Sequence, residues 1–290
     1  MTSLGSYCYS QKYLGTHATT KEAVVRNLFA ALIVMMSATA WANDLDSAFT
    51  AYNEGHYGKA AQIFQSAAQQ GDAAAQHNLG FMYYEGLGVP QDYAEAMRLY
   101  SLAAEQGFAE SQFTLGLMYQ EGIGVPQDYA EAMRLYTLSA RQGNAGAQTN
   151  LGVMYDKGLG VTQSEVNAAR WYKLAAEQGS ASAQYNLAKS YLVGKGISQN
   201  YREAMKFYKL AAEQGFAAAQ LDLGVLYGNG DGVPQDYVQA HLWLNLAAAQ
   251  GNELAKKNRD MLAEDMTPQQ IAEAQKLARQ CLARDYKNCH

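Results

Sequence analysis

The stretch GVPQDYAEAMRLY occupies residues 88–100 and recurs letter for letter at residues 124–136. An active site is built once in a chain, whereas a structural unit is built many times, so this duplication indicates a repeat. The sequence predicts five repeats over residues 72–251, namely 72–107, 108–143, 144–179, 180–215 and 216–251. A Leu-Gly step returns with the same period of 36 residues at Leu79, Leu115, Leu151, Leu187 and Leu223, with Ala188 replacing glycine in the fourth repeat.

Each repeat carries the pattern of two helices joined by a glycine-rich loop. In the first repeat, the first helix places four fixed residues on one face, at positions i, i+3, i+4 and i+7. These residues are Gln76, Leu79, Gly80 and Tyr83. Glycine inside a helix is less stable than alanine by about 1 kcal/mol, so its recurrence predicts a close approach by a neighbouring helix.

Capping residues define where the predicted helices begin. Asp92 is the predicted N-cap of the second helix in the first repeat, and Glu95 three residues later predicts a capping box. The same device at Thr267 opens the last predicted helix. Residues 43–71 are predicted to form a degenerate N-terminal helix pair, and residues 252–290 are predicted to form C-terminal capping helices with a disulfide tail.

The first 42 residues carry the pattern of a leader and signal peptide. Lys21 and Arg26 precede an apolar run at residues 28–36, and the small-residue motif that ends at Ala42 predicts cleavage before Asn43. An uncleaved anchor or a buried helix is the alternative. Export predicts a periplasmic or secreted protein.

Two further hypotheses follow from the leader. Because residues 1–20 precede the basic region, translation starting near Val24 is an alternative to the first Met. Export would remove Cys8 and leave Cys281 and Cys289 in an oxidising compartment. In a continuous helix their Cα atoms would lie about 12 Å apart, beyond the limit of about 7 Å for a disulfide. A disulfide therefore requires the last helix to end between them and the tail to fold back; two free thiols are the alternative.

The repeat consensus is A-x-x-Q-x-x-L-G-x-x-Y-x-x-G-x-G-V-P-Q-D-Y-x-x-A-x-x-x-Y-x-x-A-A-E-Q-G, and over residues 72–251 it resembles the Sel1-like repeat, a relative of the tetratricopeptide repeat. The resemblance implies an all-α, right-handed superhelical α-solenoid of stacked antiparallel helix pairs. It also implies a non-catalytic module or scaffold that binds a protein or peptide partner in the bacterial envelope or outside the cell. Solenoid ends are closed by capping elements, which predicts a monomer.

Other functions find less support in the sequence. A formal net charge of −5 argues against a nucleic-acid partner. The histidines His56, His77 and His241 lack ligand spacing, so neither a metal nor a cofactor is predicted. No catalytic residue is predicted. One alternative is a cell-wall or β-lactam hydrolase, which a cysteine-rich branch of the family resembles. That branch carries cysteines inside its repeats, and residues 72–251 have none. The other alternative is a carbohydrate-binding solenoid that stacks sugars on aromatic rings.

The candidate partner-binding surface is formed by three variable columns on the first helices, spaced i, i+4 and i+7. If these helices line the inner curve, as the resemblance implies, the columns form an apolar concave strip suited to a helix or an extended peptide. The alternative is that they pack against the next repeat. The columns are His77, Phe113, Thr149, Tyr185 and Leu221; Phe81, Leu117, Val153, Lys189 and Val225; and Tyr84, Gln120, Asp156, Leu192 and Gly228.

Overall fold

The structure is a computed structural model that describes residues 42–287 and Cys289. The predicted leader and signal peptide up to residue 41, and the alternative start, lie outside the described residues. Within the described part of the chain, fourteen α-helices and no strands occur. They are α1 Ala42–Asn53, α2 Tyr57–Gln69, α3 Ala73–Glu85, α4 Tyr93–Glu105, α5 Ala109–Glu121, α6 Tyr129–Arg141, α7 Ala145–Lys157, α8 Glu165–Glu177, α9 Ala181–Val193, α10 Tyr201–Ala212, α11 Ala217–Asn229, α12 Tyr237–Ala249, α13 Glu253–Glu264 and α14 Pro268–Ala283. The all-α class is confirmed.

The described helices fall into two compact units, the first ending at Thr162 and the second beginning at Gln163. In the first unit, each of the helices α1 to α7 packs on the next one along the chain. In the second unit the same holds from α8 to α13, whereas α14 packs against α12. Each unit is therefore a stack of antiparallel helix pairs, which is the solenoid arrangement that the repeat pattern predicts.

The helix caps follow the sequence with one difference. The Asp92 side chain accepts hydrogen bonds from the backbone N–H groups of Ala94 and Glu95, at 2.9 and 3.0 Å. The predicted capping box is nevertheless wrong in its second half, because the Asp92 backbone N–H donates to the Tyr83 carbonyl at 2.9 Å and the Glu95 carboxylate pairs with Arg98 at 2.7 Å. The capping box at Thr267 is complete and is confirmed. The Thr267 backbone N–H donates to the side chain of Gln270, and the Thr267 hydroxyl accepts from the Gln270 backbone N–H.

The glycine inside the first helix has the predicted packing role in the first, second and fifth repeats. A Cβ atom on Gly116 would lie 2.6 Å from the ring of Tyr136 in the paired helix, closer than real Cβ contacts allow. In the last repeat a Cβ atom on Gly224 would lie 2.7 Å from the side chain of Leu244. Glycine therefore recurs because the second helix presses a large side chain against the first.

Buried glutamines connect neighbouring repeats. The Gln112 amide nitrogen donates to the Ala104 carbonyl of the preceding helix at 3.1 Å. Its oxygen accepts a 2.8 Å hydrogen bond from Gln142, at the end of the same repeat. The pattern recurs at Gln76, and in the second unit at Gln184 and Gln220. The glutamine at this position therefore connects each repeat to the one before it by hydrogen bonds, because a buried amide needs hydrogen-bond partners.

The C-terminal tail folds back as a disulfide would require. Helix α14 ends at Ala283, and the backbone reverses through Asp285 and Tyr286, both with positive φ. The Cα atoms of Cys281 and Cys289 consequently lie 4.9 Å apart, within the range that a disulfide spans.

Candidate binding surface on the first helices

The structure buries part of the predicted concave surface. Four of the predicted contact residues are inaccessible to a partner, so the alternative of packing holds for them and the prediction is corrected. They are His77, Tyr84, Leu117 and Thr149, each between 2% and 8% exposed. The physical reason is that these four side chains fill the space between a first helix and its neighbouring helices. Hydrophobic periodicity predicts which face of a helix a residue is on, but it does not predict how deeply the residue is buried.

His77 shows how the first column packs. Its Nδ1 lies 2.8 Å from the hydroxyl of Ser111 in the next repeat, and its ring lies against Tyr100 and Phe108. Burial lowers the pKa of His77 to about 4, so the imidazole is neutral at pH 7. A buried neutral histidine with a hydroxyl partner belongs to the interface between repeats and offers no contact to a partner.

The remaining candidates reach the surface, each within its own unit. Lys189 is exposed and the others are half-buried. In the first unit they are Phe81, Phe113, Gln120, Val153 and Asp156, and in the second unit Tyr185, Lys189, Leu192, Leu221 and Val225. The structure brings Lys189 to Tyr185, with the ammonium group 5.5 Å from the ring centre. It also brings Gln120 to Tyr136, whose hydroxyl donates to it at 3.0 Å.

A carboxylate that sequence reasoning missed lies beside this surface in the second unit. Burial raises the pKa of the Asp222 carboxyl, while the hydrogen bond from Tyr185, the charge of Lys189 and the hydroxyl of Tyr208 act in the opposite direction. Burial and the Asp222 charge in turn raise the pKa of Tyr185. The cluster combines an aromatic face, an exposed ammonium group and a partly desolvated carboxylate, which suits recognition of a polar group on a peptide.

A sequence signal for Asp222 did exist. Its column holds Asn78, Thr114, Asn150 and Asn186 in the other repeats, so Asp222 is its one charged residue. A single charge in a neutral column marks a position where one repeat departs from the shared structure.

An open cleft of about 740 Å³ lies in the second unit, between α11, α12 and α13. Val225 and Gly228 from the variable columns line it. Tyr237 and Leu244 of α12 and Met261 of α13 complete its apolar walls. The sequence alone did not reveal it, because a cavity depends on side chains from three helices.

Two searches for other kinds of site concern the described residues only. Among them, no three His, Cys, Asp or Glu side chains gather in a way that could hold a metal ion. Within the same residues, none of the helices combines the length and apolar character needed to cross a membrane.

The geometry defines a class of protein, the all-α repeat solenoid with variable residues on its first helices. The sequence model of the Sel1 repeat matches residues 57–72, 73–108, 109–144, 145–180, 181–216 and 217–252. The chain belongs to the Sel1 repeat family, whose members generally mediate protein interactions and are generally non-catalytic. The matched repeats begin one residue later than the predicted boundaries, and a partial repeat extends into the degenerate N-terminal pair.

Solved structures that resemble this chain include two Sel1-type repeat proteins. A Sel1 repeat protein from Oxalobacter formigenes is 31% identical, with a TM-score of 0.72, and the match covers 81% of this chain and 96% of that one. A protective antigen present in uropathogenic Escherichia coli strains, described as displaying an SLR fold, is 30% identical with a TM-score of 0.57. That match covers 86% of this chain and 62% of the antigen. The comparison with curated proteins found no match.

Proposed function

We propose that the protein is an exported, non-catalytic scaffold that binds a protein or peptide partner through the first-helix surface, in the bacterial envelope or outside the cell. The observation that carries the proposal is the half-buried variable surface, since the fixed columns are already occupied by packing within and between repeats. Half-buried aromatic and aliphatic side chains beside polar points are typical of peptide-binding surfaces.

A paired pull-down tests the proposal. The bait is the purified protein, cross-linked to its partner in envelope extract or growth medium. A second bait carries Phe81→Ala, Phe113→Ala and Lys189→Ala. A matched control carries Leu102→Ala and Leu174→Ala, which remove exposed side chains from second helices. We expect a partner that the control retains and the surface variant loses while helicity is unchanged. A partner held equally by all three baits would refute this surface.

The proposal includes export. Its support is the basic, apolar and small-residue pattern of the first 42 residues, together with the folded-back tail that places Cys281 near Cys289. In that compartment the two cysteines form a disulfide worth roughly 2–3 kcal/mol. N-terminal sequencing of protein recovered from periplasm and medium should read from Asn43. A cytoplasmic chain that retains the leader, with two free thiols, would contradict this part.

The hydrolase alternative is tested separately. The cluster around Asp222 is the polar group to examine, because it brings a largely buried carboxylate beside Tyr185 and Lys189. We expect no turnover of nitrocefin or cell-wall fragments by the purified protein. Saturable hydrolysis that disappears in Asp222→Asn would replace the scaffold with an enzyme.

A further inference from the structure

The cleft in the second unit exists because the fifth repeat lacks side chains that fill the same place in the first repeat. The two repeats align residue for residue, so Gly228 stands where Tyr84 stands, and Leu244 stands where Tyr100 stands. Both tyrosines are buried, with 4% and 0% of their surface exposed. A phenol ring is therefore absent at one position and replaced by a smaller side chain at the other.

The first repeat shows which chemistry fills this space. There the ring of Tyr84 lies against the ring of Tyr93, with 5.1 Å between the ring centres. The residue equivalent to Tyr93 is Tyr237, which lines the cleft. Its own repeat supplies no ring to lie against it, because Gly228 has no side chain. The cleft thus contains one ring of the aromatic pair, Tyr237, and has space for the second ring to come from a ligand.

The charge of the lining adds a second requirement. The charged side chains that line the cleft are Asp231 and Asp265, and no described residue that lines it is basic. Asn229 donates a 3.1 Å hydrogen bond to Asp231. A ligand that places an aromatic ring in the cleft and carries a basic group beside the ring would therefore have charge complementary to these two aspartates.

We infer that this cleft receives an aromatic side chain of the partner polypeptide, with an adjacent Lys or Arg held by Asp231 and Asp265. The inference rests on the proposed function, because it names the chemistry by which the scaffold anchors its partner. The ring occupies the place of Tyr84 and packs on Tyr237, and Met261 of α13 covers its edge.

Gly228 offers a sharp test because its helix accepts a side chain. A Cβ atom there would meet the nearest atom, the Cβ of Ala240, at 3.6 Å, an ordinary contact. Gly228→Tyr therefore fills the cleft with the residue that the first repeat uses. Gly228→Ala is the matched control, since it changes the same backbone position and leaves the cleft open. Leu244→Tyr closes the cleft from α12 if the first variant fails to fold, because Gly224 beneath it leaves room for a ring as Gly80 does beneath Tyr100.

The probe is N-acetyl-phenylalanyl-arginine amide, titrated into the purified protein and followed by NMR. Two related dipeptides, acetyl-alanyl-arginine amide and acetyl-phenylalanyl-glutamate amide, separate the ring from the charge. We expect saturable binding of the first dipeptide and at least tenfold weaker binding of the other two. Gly228→Tyr should weaken binding at least tenfold, Gly228→Ala should change it less than twofold, and Asp231→Asn with Asp265→Asn should weaken it several-fold.

Equal binding to the wild type and to a folded Gly228→Tyr or Leu244→Tyr variant would overturn the inference, as would the lack of saturable binding at millimolar probe. The pull-down judges the proposed function independently. Suppose that the pull-down captures a partner through the variable residues of the first helices, and that Gly228→Tyr binds this partner with wild-type affinity. The proposed scaffold function would then hold, and the inference that the cleft binds an aromatic side chain would be wrong. A wild-type chain that self-associates, and that the dipeptide dissociates, would overturn the external partner in favour of a second copy.

Discussion

The first and fifth repeats are built to the same pattern and differ in what fills them. Both have an aspartate N-cap on the second helix, a glycine beneath a large side chain, and a buried glutamine that bonds to the preceding helix. The first repeat encloses two tyrosine rings, whereas the fifth has Gly228 and Leu244 at those positions and opens a cleft. The fixed columns hold the solenoid together, so a variable position can lose its side chain without loss of the helix pair.

The largest loss of stability is expected from a substitution that disrupts a contact shared by the repeats. Gly116→Val should destabilise the protein by about 3 kcal/mol, because a branched side chain would overlap the ring of Tyr136, 2.6 Å from the added Cβ. The fourth repeat accommodates a methyl group at this position, because Ala188 replaces the glycine there and is fully buried. Urea denaturation followed by circular dichroism measures the difference. An unchanged midpoint would mean that the glycine has no packing role.

The stability of the protein should depend on pH through His77 of the first repeat, whose place is taken by Leu221 in the fifth. The folded-state pKa of about 4 lies below the unfolded value, so the neutral imidazole stabilises the fold fully above pH 6.5. As the pH falls from about 6.5 to about 4, up to about 3 kcal/mol of stability should be lost.

The control for His77 uses residues from other repeats. His77→Phe with Ser111→Ala installs the residues that stand at Phe113 and Ala147, and removes the polar pair. Denaturant midpoints measured from pH 7 to pH 4 should fall less steeply in this variant than in the wild type. Parallel profiles would show that His77 does not titrate with folding.

A smaller loss is expected from the glutamine column that both repeats share. Gln112→Ala leaves the Ala104 carbonyl and the Gln142 amide without their partner and should destabilise the protein by about 2 kcal/mol. Gln127→Ala is the control, because its exposed amide donates to the Gln120 carbonyl and the Tyr129 hydroxyl, where water can replace it, and should contribute less than about 1 kcal/mol. Similar effects of the two variants would remove the distinction between the buried and the exposed glutamine columns.

The smallest effect has the opposite sign. Gly228→Ala should stabilise the protein by about 0.5–1 kcal/mol, because alanine favours the helix and its methyl group meets no clash. Thermal unfolding should show a small rise in Tm. A fall would mean that the cleft is closed around Gly228 and that the contrast with the first repeat is wrong.

The fixed features of the fold could be predicted from the sequence, because a period of 36 residues repeats each packing requirement five times. The helix pairs and the glycine contacts follow from that repetition. The capping box predicted at Asp92 is half wrong, because the Asp92 backbone N–H bonds to the Tyr83 carbonyl and Glu95 pairs with Arg98. Competition between local bonds of similar strength is not decided by a motif.

The candidate surface was less predictable, because a variable column carries no repeated signal. His77 and Tyr84 share a helix face with Phe81, yet they are buried and Phe81 is only half-buried. Their depth depends on side chains from neighbouring helices, such as Ser111 and Tyr93. The cleft depends on neighbouring helices in the same way, and the aligned sequence indicates only that Gly228 replaces Tyr84.

A crystal structure of the protein with N-acetyl-phenylalanyl-arginine amide would show whether the cleft in the second unit binds an aromatic side chain. We expect the phenyl ring between Gly228 and Met261, packed on Tyr237, with the guanidinium group at hydrogen-bond distance from Asp231 or Asp265. A structure in which α13 closes on α11 and leaves no cleft, or in which the dipeptide binds elsewhere, would contradict this expectation.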